Sequence, residues 1–201
     1  MTRHINKIAV LGAGVMGSRI ACHFANIGVE VLLLDIPDKG ENKNKIVNDA
    51  LVFVLKSNPS PIYKKSFADR ITTGNFEDDM KNISSCDWII EVVVERLDIK
   101  KQIFENVEKF RKIGSLITSN TSGIPIHLMA EGRSDDFQKH FCGTHFFNPP
   151  RYLKLMEIIP APKTSSDVID FLNSYSDLYL GKTTVLCKNT PAFIANRIGT
   201  F

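Results

Sequence analysis

The chain has no apolar run long enough to cross a membrane and no signal-peptide pattern at its start. Membrane-spanning and secreted classes are not expected, and a cytoplasmic setting is. Paired cysteines are lacking too: Cys22, Cys86, Cys142 and Cys187 lie far apart and form no CxxC. A metal site or a disulfide framework has nothing to build on, and a reducing compartment fits. An excess of charge is also missing. A net charge of +3 is too small to argue for a nucleic-acid partner. The densest basic stretch, Lys39 to Lys45, is interleaved with Glu41 and asparagines, as in a solvated loop. Internal repeats and low-complexity segments are not apparent. What remains is 201 residues, 43% hydrophobic and 23% charged, enough for one ordinary globular domain or one domain and a fragment.

Strand and helix patterns alternate from the beginning. "KIAVLG" (7–12) reads as a buried strand. Residues 15–26 read as a helix with Met16, Ile20 and Phe24 four apart and Gly28 at its stop. "VEVLLLD" (29–35) is a second strand, completing a βαβ unit. "KNKIVNDALVFVLKS" carries the stripe Ile46, Ala50 and Val54 of an amphipathic helix, which "NPSP" at 58–61 breaks. Strands follow at "DRITTG" (69–74) and "DWIIEVVV" (87–94), and a helix at "DIKKQIFENVEKF". "SLITSN" (115–120) is a strand, and a short helix sits near Pro125 to Ala130. "FCGTHFF" (141–147) and "LKLMEII" (153–159) are strands, 166–180 is helical, and "TTVLC" (183–187) is the last strand. A terminal helix is expected from about Pro191 and has neither a glycine cap nor a polar tail before the last residue. The pattern predicts a doubly wound α/β domain of Rossmann type, a mostly parallel sheet with helices on both faces. Residues 1–187 form it, and 188–201 are expected to open a further helical domain that is cut short.

"VLGAGVMG" places Gly12, Gly14 and Gly17 in the order G-x-G-x-x-G, after a strand and at the start of a helix. Asp35 stands 18 residues beyond Gly17, at the tip of the next strand. Gly12 allows the tight turn, Gly14 lets a pyrophosphate approach the backbone, and Gly17 lets helix and strand pack closely. Val15 and Met16 lie where the helix start faces phosphate charge and are counted with the cofactor-binding positions. Asp35 can accept from both ribose hydroxyls of adenosine. A 2′-phosphate would meet a like charge there, and neither Ile36 nor Pro37 can receive it, so NAD is preferred over NADP. By fingerprint alone FAD is also possible, but nothing later in the chain supports it.

In such a sheet the ligand sits at the carboxyl ends of the strands. That rule selects Glu95, the Ser119–Ser122 stretch, His145 and Asn148. If the strands at 141–147 and 153–159 run side by side around "NPPR", His145 can face Glu157, a carboxylate set between Met156 and Ile158. A histidine base suits removal of an alcohol proton, and a carboxylate behind it fixes the tautomer and stabilises the imidazolium. From spacing alone, a lone histidine beside a lone glutamate on neighbouring strands is more often a structural hydrogen bond. His4, His23, His127 and His140 have no comparable setting.

"GAGVMG", "SNTSG", "HFFNP", "MEIIP" and "CKNTPAFIANR" occur in this order. The chain resembles the NAD-binding domain of L-3-hydroxyacyl-CoA dehydrogenases over nearly its whole length. The resemblance implies oxidation of a (3S)-3-hydroxyacyl-CoA to the 3-oxoacyl-CoA in fatty acid β-oxidation, with NAD as hydride acceptor. By matching motif, His145 is the expected base and Glu157 its partner. Ser122 is expected to bond the substrate oxygen, which Asn196 helps hold. Glu95, Lys100 and Asn148 match residues around the nicotinamide half of NAD, and Lys65 matches a lysine that meets coenzyme A. An acyl-CoA substrate and a homo-oligomer are the partners implied.

Two departures stand out. Gly123 occupies a place where many relatives carry serine, and the family's helical domain, which normally follows "FIANR", is not reached before Phe201. The motif combination is also similar to long bacterial forms joined to an enoyl-CoA hydratase-like portion. A sugar-acid dehydrogenase of the lambda-crystallin or L-gulonate branch remains an alternative, as does a fragment that holds NAD without turnover. A 6-phosphogluconate-type enzyme would need a glycine-rich segment that is missing.

Overall fold

The computed structural model describes residues 3–200. One eight-stranded sheet runs in the order β3-β2-β1-β4-β5-β6-β7-β8. Its strands are β1 (Lys7–Leu11), β2 (Glu30–Asp35), β3 (Ile71–Asn75), β4 (Trp88–Glu91), β5 (Leu116–Ser119), β6 (Phe141–Phe146), β7 (Leu155–Pro160) and β8 (Thr183–Leu186). All neighbours pair in parallel except β6 and β7, which are antiparallel. The helices are α1 (Val15–Asn26), α2 (Lys45–Leu55), α3 (Leu97–Phe110), α4 (Ile126–Ala130), α5 (Asp135–Lys139), α6 (Ser166–Leu178) and α7 (Ala195–Gly199). The expected doubly wound architecture is what forms. Strand order reverses between β1 and β4, which opens the crevice where such sheets take their ligands.

Side chains alternate across each strand, so the sheet feeds two cores. Ile8 and Val10 pack with Ile20 and Phe24 of α1, Val54 of α2 and Leu172 of α6. Ala9 and Leu11 pack on the other face with Phe104 of α3, Met129 of α4 and Phe137 of α5. Both faces being covered explains why β1 from Ile8 to Leu11 and β4 from Trp88 to Ile90 are apolar rather than alternating. Trp88 lies fully buried against Phe24 edge-on at 5.3 Å, with its indole N–H on Thr118 Oγ1 at 2.9 Å. A buried ring of this size is worth about 1.5–3 kcal/mol through its area alone.

Two boundaries and one helix differ from expectation. β4 stops at Glu91 rather than continuing to Val94. Beyond it β1 has turned away at Gly12 (φ 108°), and the Val93 N–H goes to the Glu91 carboxylate at 2.7 Å instead of a neighbouring strand. α7 begins at Ala195, not near Pro191, because Ala192 (φ 61°) and Phe193 (φ 46°) adopt left-handed backbone that cannot propagate a helix. α5 was not anticipated. Its cap is Ser134, whose side chain accepts from Phe137 N–H. Short 3₁₀ turns at Lys65–Arg70 and Met80–Ser85 complete the chain.

Candidate active site

The glycine loop sits at the end of β1, and two of its glycines are required by the protein's own packing. A Cβ on Gly12 would lie 2.6 Å from Val92 O, and one on Gly17 would lie 1.8 Å from Gly12 O. Gly14 is different: a Cβ there would meet nothing within 4 Å. The space above Gly14 is open, and α1 starts there with no side-chain cap and no acidic residue in its first turn. Its leading N–H groups therefore keep their partial positive charge unanswered by the protein. That arrangement fits a pyrophosphate. Val15 is exposed, whereas the Met16 side chain packs on the core and leaves only backbone to offer.

Asp35 does more than the sequence indicated. Its Oδ2 accepts from Ala13 N–H and its Oδ1 from Ile36 N–H, each at 2.7 Å. It thus holds the glycine loop against the end of β2. Each carboxylate oxygen has a second lone pair left for a ribose hydroxyl.

Past β4 lies a buried charge network that centres on a residue the sequence reading missed. Glu91, fully buried, accepts from Lys100 Nζ at 2.7 Å, Ser119 Oγ at 2.5 Å and Val93 N–H at 2.7 Å. Burial pushes its carboxyl above the ordinary range, against the pull of Lys100. Lys100 is 1% exposed and reaches Glu95 at 3.3 Å with its remaining donors. Glu95 in turn accepts from Thr121 Oγ1 and from Ser122 N–H at 2.9 Å. Partial burial raises Glu95, but these donors and Lys100 outweigh it and leave its carboxyl below the usual value. Lys100 is thereby enclosed, and its effect on the crevice passes through Glu95.

β6 and β7 place His145 directly opposite Glu157. His145 Nδ1 and Glu157 Oε2 are 2.7 Å apart. Glu157 Oε1 accepts from Ala195 N–H at 2.8 Å and Ile194 N–H at 3.1 Å. Burial raises the Glu157 carboxyl, yet the hydrogen bonds from His145, Ala195 and Ile194 overcome it and hold it below its ordinary value. Among the described residues, the other ring nitrogen, Nε2, has no hydrogen-bond partner. Asn120 ties this hairpin to the end of β5 by accepting from Phe146 N–H at 2.8 Å.

The segment before and into α7 unites the two clusters. Ile194 and Ala195 bind Glu157, and Asn196 Nδ2 donates to Ser122 O at 3.0 Å. His145, Glu157, Ser122, Asn196, Glu95 and Lys100 are therefore linked by a chain of contacts. Gly123 faces the same segment, with room for a Cβ 3.6 Å from Ala192 N. Asn148 and Lys65 are exposed and make no side-chain contact with that chain among the described residues. Of the other histidines, His23 is buried with Nε2 on Leu180 O at 3.1 Å, and burial lowers it to about 4. His127 bonds Asn189 at 2.8 Å and His140 bonds Asp136 O at 2.9 Å. Among the described residues, no group of three or more His, Cys, Asp or Glu side chains could hold a metal ion.

Comparisons with known proteins identify the family. Residues 7–190 match the family described as 3-hydroxyacyl-CoA dehydrogenase, NAD binding domain. A probable 3-hydroxyacyl-CoA dehydrogenase of Bacillus subtilis is 51% identical over 100% of this chain and 27% of its own length. A probable 3-hydroxyacyl-CoA dehydrogenase of Deinococcus radiodurans is 47% identical over 98% of this chain and 57% of its own. The crystal structure of 3-hydroxybutyryl-CoA dehydrogenase from Escherichia coli superposes with a TM-score of 0.84 at 28% identity, covering 98% of this chain and 41% of that one. The chain thus spans between about a quarter and two thirds of the length of the curated relatives it matches. With its glycine loop, its sheet order and a matched span of residues 7–190, the chain belongs to the 3-hydroxyacyl-CoA dehydrogenase family as an NAD-binding domain.

Proposed function

We propose that this domain serves the NAD-dependent oxidation of (3S)-3-hydroxyacyl-CoA to 3-oxoacyl-CoA, in fatty acid β-oxidation, with His145 as the base. The observation that carries the reading is the His145–Glu157 pair: Nδ1 engaged at 2.7 Å and Nε2 without a partner among the described residues. Glu157 fixes the proton on Nδ1, so Nε2 faces the crevice as an acceptor. When the substrate hydroxyl gives up its proton, Nε2 takes it. The imidazolium that forms is stabilised by Glu157, itself kept ionised by the N–H groups of Ile194 and Ala195. A positioned base of this kind contributes roughly 10²–10⁴-fold in rate.

NAD, when bound, supplies the hydride acceptor. Gly12, Gly14, Gly17 and the backbone of Val15 and Met16 hold its pyrophosphate, and Asp35 its adenosine ribose. Glu95, oriented by Lys100, and Asn148 flank its nicotinamide half. Ser122 and Asn196, joined at 3.0 Å, orient the substrate oxygen. Lys65 meets coenzyme A from its exposed place on the 3₁₀ turn. A cytoplasmic homo-oligomer is the assembly we envisage. The test measures NAD affinity and acetoacetyl-CoA reduction on one sample. Turnover with micromolar-range cofactor binding supports the reading. NAD-dependent oxidation of a free sugar acid without reduction of acetoacetyl-CoA would replace it with the sugar-acid branch.

A further inference from the structure

We propose that Lys182 is a positioning residue for the His145–Glu157 pair, because its buried ammonium clamps the turn that joins their two strands. The inference rests on the reading of that pair as the working base. Lys182 leaves the α6–β8 connection just after Gly181 (φ 61°), and its own N–H donates to Ser176 O at 2.8 Å. The next residue, Thr183, starts the pairing of β8 with β7 through Lys154 O at 2.8 Å. The base of the side chain is therefore fixed by the sheet. The side chain runs inward and is 3% exposed. Its Nζ donates to Leu153 O at 2.7 Å and to Pro150 O, and lies 5.8 Å from the centre of the Phe146 ring.

These partners are two carbonyls and an aromatic face, not a carboxylate. Enclosing an ammonium without a counter-ion is costly, and burial lowers Lys182 to about 8. Its charge, with that of Arg151 on the turn itself, helps burial keep His23 of α1 neutral. An apolar side chain could fill this space with less penalty. What lysine adds is donors, and the turn is short of donors. Pro149 and Pro150 have no N–H, so ladder hydrogen bonds cannot close the β6–β7 connection there. The turn closes instead on Pro149 O, which accepts from Tyr152 and Leu153 N–H at 3.0 Å each. The carbonyls of Pro150 and Leu153 are left for Lys182.

The same turn is anchored outward. Arg151 donates to Ser60 O at 2.7 Å and stacks 4.1 Å from the Tyr63 ring, while Tyr152 Oη donates to Ser60 O at 3.0 Å. Lys182 thus sits beneath a turn that carries Asn148, sets the approach of His145 to Glu157, and touches the stretch leading to Lys65.

The experiment compares Lys182→Met and Lys182→Arg with the parent in the full-length protein. It records kcat and KM for NADH-dependent acetoacetyl-CoA reduction, together with the downfield proton resonance of His145 Nδ1–H. Lys182→Met is expected to lower kcat by about 10–100-fold, the scale of an ångström-sized misplacement, with KM for the cofactor little changed and the resonance lost or shifted. Lys182→Arg, which keeps the donors, is expected to restore most of kcat and the resonance. A Lys182→Met protein with unchanged kcat and an unchanged resonance overturns the proposal, whatever its melting temperature. Should Lys182→Met fail to fold, Lys182→Leu, which also lacks donors, is read by the same criteria. If the parent itself turns over no acyl-CoA, the substrate reading fails, and the clamp is then decided by the resonance alone.

Discussion

Glu91 and Glu157 are both buried carboxylates, one ending β4 and the other opposite the end of β6, and each accepts three hydrogen bonds from the chain. Their settings push them in opposite directions. Glu91 is raised by complete burial despite its lysine, and Glu157 is held low by its donors despite burial. The more telling difference lies in the partner. Lys100 is enclosed between Glu91, Glu95 and Val93 O, with no face toward the crevice. The His145 ring has one nitrogen spent on Glu157 and the other with no partner among the described residues. Burial and pairing do not by themselves mark a reacting group; an unengaged proton site on the partner does.

The comparison breaks most visibly at Lys100. Lys100→Met leaves Glu91 buried without its counter-charge, and urea unfolding should report a loss of about 3–5 kcal/mol. Adding Glu91→Leu should recover much of it, since an apolar pair avoids the desolvation cost. The corresponding change in the other pair, Glu157→Gln, should act on rate. We expect kcat for acetoacetyl-CoA reduction to fall about 10²-fold or more, with a smaller stability loss than at Lys100. A Glu157→Gln protein that loses stability but not rate would make the two carboxylates equivalent.

Two weaker tests sharpen the contrast. Ser119→Ala removes one donor from Glu91 and should cost about 1–3 kcal/mol while leaving kcat untouched, as read by unfolding and steady-state assays. The smallest signal is the pH dependence of stability. Glu157 is lower in the folded chain than unfolded, so its contribution is present above the unfolded carboxylate pKa and is lost as pH falls through the folded value. Glu91 is raised, so the folded chain binds its proton more tightly, and its contribution declines as pH rises from the unfolded toward the folded pKa. Unfolding curves from pH 3 to 7 for Glu157→Gln and Glu91→Gln should therefore deviate from the parent with opposite slopes.

The legible parts of the molecule were those whose signals are local. Gly12, Gly14, Gly17 and Asp35 lie within one βαβ unit, where spacing dictates placement, and His145 reached Glu157 through a single turn. Glu91 escaped notice because "IIEVVV" reads as one continuous strand; that the strand ends at Glu91 depends on β1 turning away at Gly12, a tertiary fact. The left-handed Ala192–Phe193 pair was invisible for another reason. Neither residue favours that backbone, so nothing in their identity announces a turn that aims two N–H groups at Glu157. α5 was legible and overlooked, since Ser134 followed by two aspartates is a helix start. The Lys100 burial could not be read either, because its spacing to Glu91 crosses the β4–α3 loop.

The central claim is that His145 removes the proton while the cofactor site stands apart from it. It is tested most directly by His145→Gln, with NAD affinity and acetoacetyl-CoA reduction measured on the same preparation of the full-length protein. The account predicts a fall in kcat of at least about 10²-fold with the NAD dissociation constant within about twofold of the parent. Retained turnover, or a collapse of NAD binding with the lost activity, would contradict it.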